Sequence, residues 1–338
     1  MVVVMKVGSS NEDIERVEDM VHNAGGETHV VRGEFRSIVA LIGDTERFLD
    51  LPLSTLPGVE VVQRIGKPYK LVAREVHAAP TTVKIGPAVV GRETFTLIAG
   101  PCAVENEQQA LAAARAAKDA GATILRGGAY KPRTSPYSFQ GLGPAGLEIL
   151  SRCRAETGLP IVTEVVETRD IESVSAVADA LQIGARNMQN FALLTEAGKA
   201  GKPVMLKRGF SSTVEEWLMA AEYVAREGNA DIVLCERGIR TFEPSTRNTL
   251  DLGGMIVAQL ESHLPVIVDP SHATGRRDLV EPMARAALAA GADGVMIDVH
   301  DNPSQALCDG PQALTPKELE RLGAELSALA QALGRPMI

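Results

Sequence analysis

"FTLIAGPCAVENEQQALAAARAAKDAGATILRGG", residues 95–128, reads as a short apolar run, a polar loop, an alanine-rich helix and a second apolar run. Two such runs joined by a helix make a βαβ unit, the connection that parallel strands require. The same rhythm continues through "PIVTEVV" (160–166), "LQIGARN" (181–187), "PVMLKRG" (203–209), "DIVLCERG" (231–238), "PVIVDPSH" (265–272) and "GVMIDVH" (294–300). Helical stretches such as "SSTVEEWLMAAEYVAREG" (211–228) lie between them. Counting "FTLIAG" and "ATILRGG", there are eight β-rich runs, which predicts an α/β fold of the (β/α)8 barrel type. A doubly wound sheet is the alternative. The count of eight, and the lack of a GxGxxG loop after the first run, favour the barrel.

Upstream of Phe95 the pattern differs. "VVVMKV" (2–7) reads as a strand, and "NEDIERVEDMVHNAGG" (11–26) as a helix ending on glycines. "THVVRG" (28–33) and "SIVALIGD" (37–44) pair as a hairpin, "TERFLDLPL" (45–53) forms a short helix, and "VEVVQRI" (59–65) is a last strand. That order, βαββαβ, is ferredoxin-like. The expected organisation is a small domain over 1–66, a linker over 67–80 and the barrel over 81–338. "VKIGPAVVG" (83–91) is expected to be a small hairpin at the barrel's start.

The chain has 338 residues, is 45% hydrophobic and carries a formal net charge of −9. That content suits a sizeable core, and the acidic balance without a basic run argues against nucleic-acid binding. No apolar stretch approaches the roughly 20 residues of a membrane span, and the first residues lack the basic start of a signal peptide. Cys102, Cys153, Cys235 and Cys308 are far apart and show no CxxC spacing. Free thiols of this kind suit a reducing compartment, so a cytoplasmic protein is expected.

In such barrels the site lies at the C-terminal ends of the strands. Arg126, Lys131, Arg133, Arg186, Lys207 and Arg237 fall at or just after those ends. Gathered in one mouth, they would repel unless an anion with several charges lay between them. Any one arginine is equally well explained by surface salt bridging; six at corresponding positions are not. Cys102, His272, Asp298 and Asp309 form a second group. A thiolate, an imidazole and two carboxylates are a donor set for one divalent metal. Each alone is weak evidence, since a lone buried cysteine is usually a small hydrophobe.

These positions also occur together in a known pattern. "AGPCAVE" (99–105), "GGAYKPRTSPYSFQG" (127–141), "TEV" (163–165), "IGARNMQN" (183–190), "LKRG" (206–209), "CERGIRTFE" (235–243), "DPSHATGRR" (269–277) and "MIDVHDNPSQALCDG" (296–310) closely resemble the 3-deoxy-D-arabino-heptulosonate 7-phosphate (DAHP) synthases. The likeness is to the type I beta form, which carries an N-terminal ferredoxin-like domain, and it covers essentially the whole barrel.

The resemblance implies condensation of phosphoenolpyruvate with erythrose 4-phosphate, the first step of the shikimate pathway. It implies that Arg126, Lys131, Arg186, Lys207 and Arg237 hold phosphoenolpyruvate, and that Arg133, Thr134 and Ser135 hold the erythrose phosphate. Asp269 would lie near the aldehyde, and Lys131 would reach both substrates and supply a proton. Glu164 would position the attacking water or accept its proton; a salt bridge to a pocket arginine is an equal alternative. Cys102, His272, Asp298 and Asp309 would hold the metal, with manganese, iron, cobalt, zinc and cadmium all admissible, so His272 serves catalysis as a ligand. The resemblance further implies a homotetramer and a front domain that binds an aromatic amino-acid effector.

One residue departs from the family's pattern: the metal stretch usually reads IEVH, and here it reads "IDVH", with Asp298 one methylene shorter. The nearest rival reaction is the 3-deoxy-octulosonate 8-phosphate synthase condensation with arabinose 5-phosphate. Its loop pattern resembles KANRSS, whereas "KPRTS" (131–135) stands here. A Schiff-base aldolase built on Lys207 or Lys131 would not need the Cys/His/carboxylate set. A silent amino-acid sensor would not need the strand-end set.

Overall fold

A computed structural model describes residues 1–33, 36–43, 45–63, 66–77, 79–133 and 135–337. The front domain is built from β1 (Val2–Met5), α1 (Asn11–Asn23), β2 (Glu27–Arg32), β3 (Ser37–Ile42) and β4 (Val59–Gln63). The sheet order is β2-β3-β1-β4, antiparallel throughout, with β1 in the middle. Ser10 and Asp13 form a reciprocal capping box that fixes the start of α1. Ile14, Val17 and Val21 recur at helical spacing and pack with Val3, Met5, Val39 and Leu41 on one face of the sheet. Val2, Val31 and Ala40, on the other face, join the core of the barrel.

The expected short helix over 45–53 is not formed. Its place is taken by two 3-10 turns, Thr45–Phe48 and Leu53–Thr55. Pro52 precedes the second turn and Pro57 follows it, and a proline biases the residue before it away from helical geometry. Phe48 and Leu53 are nonetheless buried and pack in one core with Val3, Met5, Val39 and Leu41 of the sheet. The last expected strand, 59–65, is seen through Gln63; Arg64 and Ile65 lie outside the described residues, as does Asp44 of the expected 37–44 strand.

The barrel is closed and parallel. Its strands are β7 (Thr96–Gly100), β8 (Ile124–Arg126), β9 (Ile161–Glu164), β10 (Ala180–Ile183), β11 (Val204–Lys207), β12 (Ile232–Glu236), β13 (Val266–Val268) and β14 (Gly294–Asp298), with β5 (Val83–Ile85) and β6 (Ala88–Val90) forming a hairpin before them. The surrounding helices include α2 (Glu107–Asp119), α3 (Pro144–Thr157), α4 (Ile171–Ser175), α5 (Phe191–Lys199), α6 (Val214–Arg226), α7 (Leu252–Glu261), α8 (Pro270–Thr274), α9 (Arg277–Ala289) and α10 (Pro316–Ala332).

The two-residue period of a strand then decides where the chemistry can be. Ile124, Val162, Ala180, Met205, Cys235, Ile267 and Met296 point inward and pack with Ile98 and Val233. Val83, Ile85, Ala88 and Val90 of the hairpin belong to the same cluster and plug this apolar end. Two residues further along each strand stand Arg126, Glu164, Gln182, Lys207, Arg237, Asp269 and Asp298, all buried. One inward stripe is thus apolar at its lower level and polar at its upper level.

Segment 67–80 is fastened to the barrel. The Glu222 carboxylate on α6 accepts the backbone N–H groups of Lys70, Leu71 and Val72 at 2.9, 2.8 and 3.0 Å. Ser262 Oγ donates to Val72 O at 2.6 Å, and Tyr69 donates to Glu261 at 3.0 Å.

Candidate active site

The upper level of the barrel opens into a cavity of about 280 Å3 lined by Arg126, Lys131, Arg133, Ser135, Glu164, Arg186, Lys207, Arg237 and Arg247, with His272 and Asp309 at one side. All six cations expected from the sequence line it. Thr134, expected beside Arg133, lies outside the described residues. Two glycines make room. A Cβ at Gly100, φ 155°, would sit 1.9 Å from the backbone oxygen of Arg126, so only glycine admits that approach, while one at Gly184 would sit 2.0 Å from Glu164 Oε1 and push that carboxylate aside.

The cations are held differently. Arg126 Nη1 donates to Pro101 O at 2.8 Å and also lies 2.9 Å from Asp298 Oδ1, while its Nε has no hydrogen-bond partner among the described residues. Lys131 Nζ donates to Cys102 O at 2.9 Å and lies 3.3 Å from Cys102 Sγ. Burial opposes its charge, but the sulfurs of Cys102 and Cys308 outweigh it, so the ammonium's pKa is raised. Lys207 Nζ meets Asp269 Oδ2 at 2.5 Å. Arg237 is 3% exposed, its guanidinium lies 4.6 Å from the Phe210 ring centroid, and its Nη1 lacks a hydrogen-bond partner among the described residues. Burial pushes its pKa down to about 10 against the pull of Asp269, with Arg247 adding to the fall. A buried guanidinium so placed is stabilised by an incoming anion.

At one side of the cavity lies a triangle of donors. Cys102 Sγ is 3.6 Å from His272 Nε2 and 3.3 Å from Asp309 Oδ2, and His272 Nε2 is 3.7 Å from that same oxygen. Bond lengths of about 2.0–2.3 Å around a tetrahedral ion place its ligands about 3.3–3.8 Å apart. The three donors therefore already stand at the edges of a coordination shell. His272 Nδ1 faces Asp269 Oδ2 at 2.8 Å, which leaves Nε2 for the triangle. Burial would discharge the imidazole, but Asp269 and Asp298 raise its pKa. Asp309 is the one described non-glycine residue with a left-handed backbone, φ 53°. Burial raises its pKa less than His272, Arg247 and Lys131 lower it, so it stays ionised.

Asp298 lies with Cys102 and His272 in a group whose donor atoms are within 4.8 Å of one another. Its two oxygens differ: Oδ1 is in ion-pair range of Arg126, at 2.9 Å, but makes no hydrogen bond among the described residues. Oδ2 accepts from Gln312 Nε2 at 2.7 Å. Cys308 Sγ is 3.6 Å from Cys102 Sγ and 2.6 Å from Arg133 Nη1. Its contact with Cys102 lowers the Cys308 pKa, burial opposes this, and Lys131 and Arg133 assist it. The same contact and burial raise the Cys102 thiol, so the first proton leaves this pair easily and the second does not. Cys153 and Cys235 are buried away from the cavity lining. Glu164, 8% exposed, accepts from Gln182 Nε2 at 3.3 Å.

The sequence reading missed Arg247, Phe210, Gln182 and Gln312. Arg247 sits on the long loop after β12, far from any strand end, and only the length of that loop hints at it. Gln182 could have been found, because it stands on the inward stripe two residues after Ala180.

The chain matches a family model described as the DAHP synthetase I family over residues 76–334, and one described as the DAHP synthase ferredoxin-like domain over residues 1–67. Phospho-2-dehydro-3-deoxyheptonate aldolase of Thermotoga maritima is 49% identical over 334 residues, 99% of each chain. The crystal structure of that aldolase aligns with a TM-score of 0.79 at 48% identity, covering 99% of this chain and 98% of the other. A truncated form of 3-deoxy-D-arabino-heptulosonate 7-phosphate synthase from the same organism gives a TM-score of 0.74 at 47% identity, over 79% of this chain and 98% of the other. More distantly, a 2-dehydro-3-deoxyphosphooctonate aldolase of Magnetococcus marinus is 35% identical over 270 residues, 74% of this chain and 93% of its own. With both matches in chain order and a likeness running end to end, the chain belongs to the DAHP synthetase I family and carries the ferredoxin-like domain in front of its barrel.

Proposed function

We infer that the protein condenses phosphoenolpyruvate with erythrose 4-phosphate and water to give DAHP and phosphate, at the head of the route to the aromatic amino acids. The observation that carries this reading is one pocket in which buried, incompletely paired cations face a Cys102–His272–Asp309 donor triangle. It stands in a chain that resembles a phospho-2-dehydro-3-deoxyheptonate aldolase from end to end.

Arg126, Lys131, Arg186, Lys207 and Arg237 bind the phosphate and carboxylate of phosphoenolpyruvate. Arg133, Thr134 and Ser135 bind the phosphate of the sugar. Cys102, His272 and Asp309 hold a divalent metal, with Asp298 adjoining, and the donor set admits manganese, iron, cobalt, zinc or cadmium. When bound, the metal supplies Lewis acidity for the aldehyde carbonyl. Asp269 lies within ion-pair distance of both His272 Nδ1 and Lys207 Nζ and orients the two at the site. The methylene carbon of phosphoenolpyruvate attacks the carbonyl carbon, and Lys131 gives a proton to the forming hydroxyl. Positive charge then develops at the adjacent carbon, which carries the phosphate oxygen; water adds there, and Glu164 accepts its proton. Phosphate leaves with cleavage of its C–O bond.

Phosphate release is the direct test. It should require both substrates and a divalent metal, and stop on chelation. Turnover with arabinose 5-phosphate equal to that with erythrose 4-phosphate would favour the octulosonate reaction instead; no release with either sugar would overturn both.

We also infer that the front domain is regulatory, with tyrosine or phenylalanine as effector, and that the chain works as a homotetramer in the cytoplasm without nucleic-acid or membrane partners. The cavity lining comes from residues 126–309, so the front domain adds no group to it. Among the described residues no helix is long and apolar enough to cross a membrane.

A further inference from the structure

Two residues outside the donor triangle hold both carboxylates of this site through one chain of contacts. Arg247 Nη1 lies 3.2 Å from Asp309 Oδ1 and 3.2 Å from Gln312 Oε1. Gln312 Nε2 donates to Asp298 Oδ2 at 2.7 Å. We propose that Arg247 and Gln312 are positioning residues, a relay that sets Asp309 and Asp298 for metal binding.

The chemistry of the groups fixes the direction of the relay. A guanidinium only donates and a carboxylate only accepts. A side chain that bridges them must accept at one end and donate at the other, and the amide of Gln312 does this. Gln312 is 2% exposed, so its orientation is not shared with water. Arg247 grips Oδ1 of Asp309 and leaves Oδ2 for Cys102 and His272, at 3.3 and 3.7 Å. Gln312 holds Oδ2 of Asp298 by a hydrogen bond, while Oδ1, in ion-pair range of Arg126, keeps no hydrogen bond among the described residues and stays available to a cation. Arg247 enters from the 238–251 loop and Gln312 from the turn that follows the left-handed Asp309. The relay therefore ties two loops to the end of β14 at the site. Arg247 also lines the anion cavity, so a bound anion and the metal share this one support.

The relay rests on the metal reading of the triangle, and the test separates the two. Mn2+ binding is measured by electron paramagnetic resonance on the full chain without substrates. Outer partners of metal ligands typically hold about 10–100-fold in affinity, so Gln312→Leu and Arg247→Gln should each raise the Mn2+ Kd at least ~10-fold. In the double variant the combined loss should be smaller than the product of the single ones, because both act through one chain of contacts. Gln259→Leu removes a buried glutamine that bonds Gly291 O and Asp293, at the opposite end of β14, and should leave the Kd unchanged. Arg247 is a partly exposed side chain, so Arg247→Gln keeps the test decisive if Gln312→Leu does not fold. A parent protein that binds none of Mn2+, Co2+, Zn2+ and Cd2+ overturns the metal reading and the relay together. A parent that binds one of them, with Arg247→Gln binding that ion equally well, overturns the relay alone.

Discussion

Asp298 shows how a single side chain can serve two masters. It pairs with Arg126 with both side chains almost fully buried, and it lies beside Cys102 and His272. Removing one partner of a buried ion pair leaves the other charge stranded, at a cost of about 3–5 kcal/mol. Asp298→Ala should therefore lower the stability of the metal-free protein by about 3–5 kcal/mol, read from urea unfolding in chelator. A loss of less than ~1 kcal/mol would mean that Arg126 finds another partner and that Asp298 is kept for the metal alone. Asp298→Glu keeps the charge and should stay close to the parent in that measurement while changing the metal dependence of turnover. Arg126, Cys102 and His272 could be placed at the barrel mouth because each stands at or just after an apolar run, whereas Asp309, in the polar loop after β14, was placed only by the family resemblance. What they touch was not legible, because the pairing of Arg126 with Asp298 joins positions that only barrel closure brings together.

The strap between the domains makes a separate prediction. His263, at the start of β13, donates from Nε2 to Leu71 O at 2.9 Å, since a carbonyl can only accept. Its Nδ1 is then the acceptor, and Thr81 Oγ1 donates to it at 2.6 Å. Protonation of Nδ1 would break that second bond. Burial pushes the His263 pKa down to about 4, against the Leu71 hydrogen bond that supports the charged ring, and His77 and Arg74 add to the fall. Unfolded, the ring titrates near 6.5. Between those values the unfolded chain holds more protons, so stability rises with pH across the window and is lost as pH falls through it. The whole effect is about 3 kcal/mol, of which about 2 kcal/mol should be gone at pH 5. Urea midpoints at pH 7.5 and 5.0 would show it, and His263→Gln should flatten the difference; an unchanged slope in that variant would assign the pH dependence elsewhere. At this scale the sequence marked strands and long helices well, because their periodicity is local. The expected 45–53 helix is broken at Pro52, and the anchors of segment 67–80, Glu222 and Ser262, were out of sight because they lie roughly 150 to 190 positions away.

The whole molecule is a barrel wearing the strap, with the front domain docked against both. One face of the front sheet contributes Val2, Val31 and Ala40 to the same core as Leu71, Val72 and Val76 of the strap. A truncation at Thr81 would strip from Glu222 the three N–H groups that hold its carboxylate, whereas one at Lys67 keeps them. Burial raises the pKa of Glu222, and the N–H groups of Leu71, Lys70 and Val72 oppose it, so the carboxylate depends on the strap for compensation. Hydrogen bonds to a charged group each contribute about 1.5–3 kcal/mol net of their exchange with water. The barrel starting at Lys67 should therefore be more stable than the one starting at Thr81 by at least ~2 kcal/mol, measured by urea unfolding in the same buffer. Both should keep turnover, because the cavity lining comes from residues 126–309. Both should lose inhibition by tyrosine or phenylalanine, which the full chain should show. Equal midpoints for the two truncations would reduce segment 67–80 to a tether. A full-length protein indifferent to all three aromatic amino acids would remove the regulatory role and leave the front domain to explain itself by packing alone.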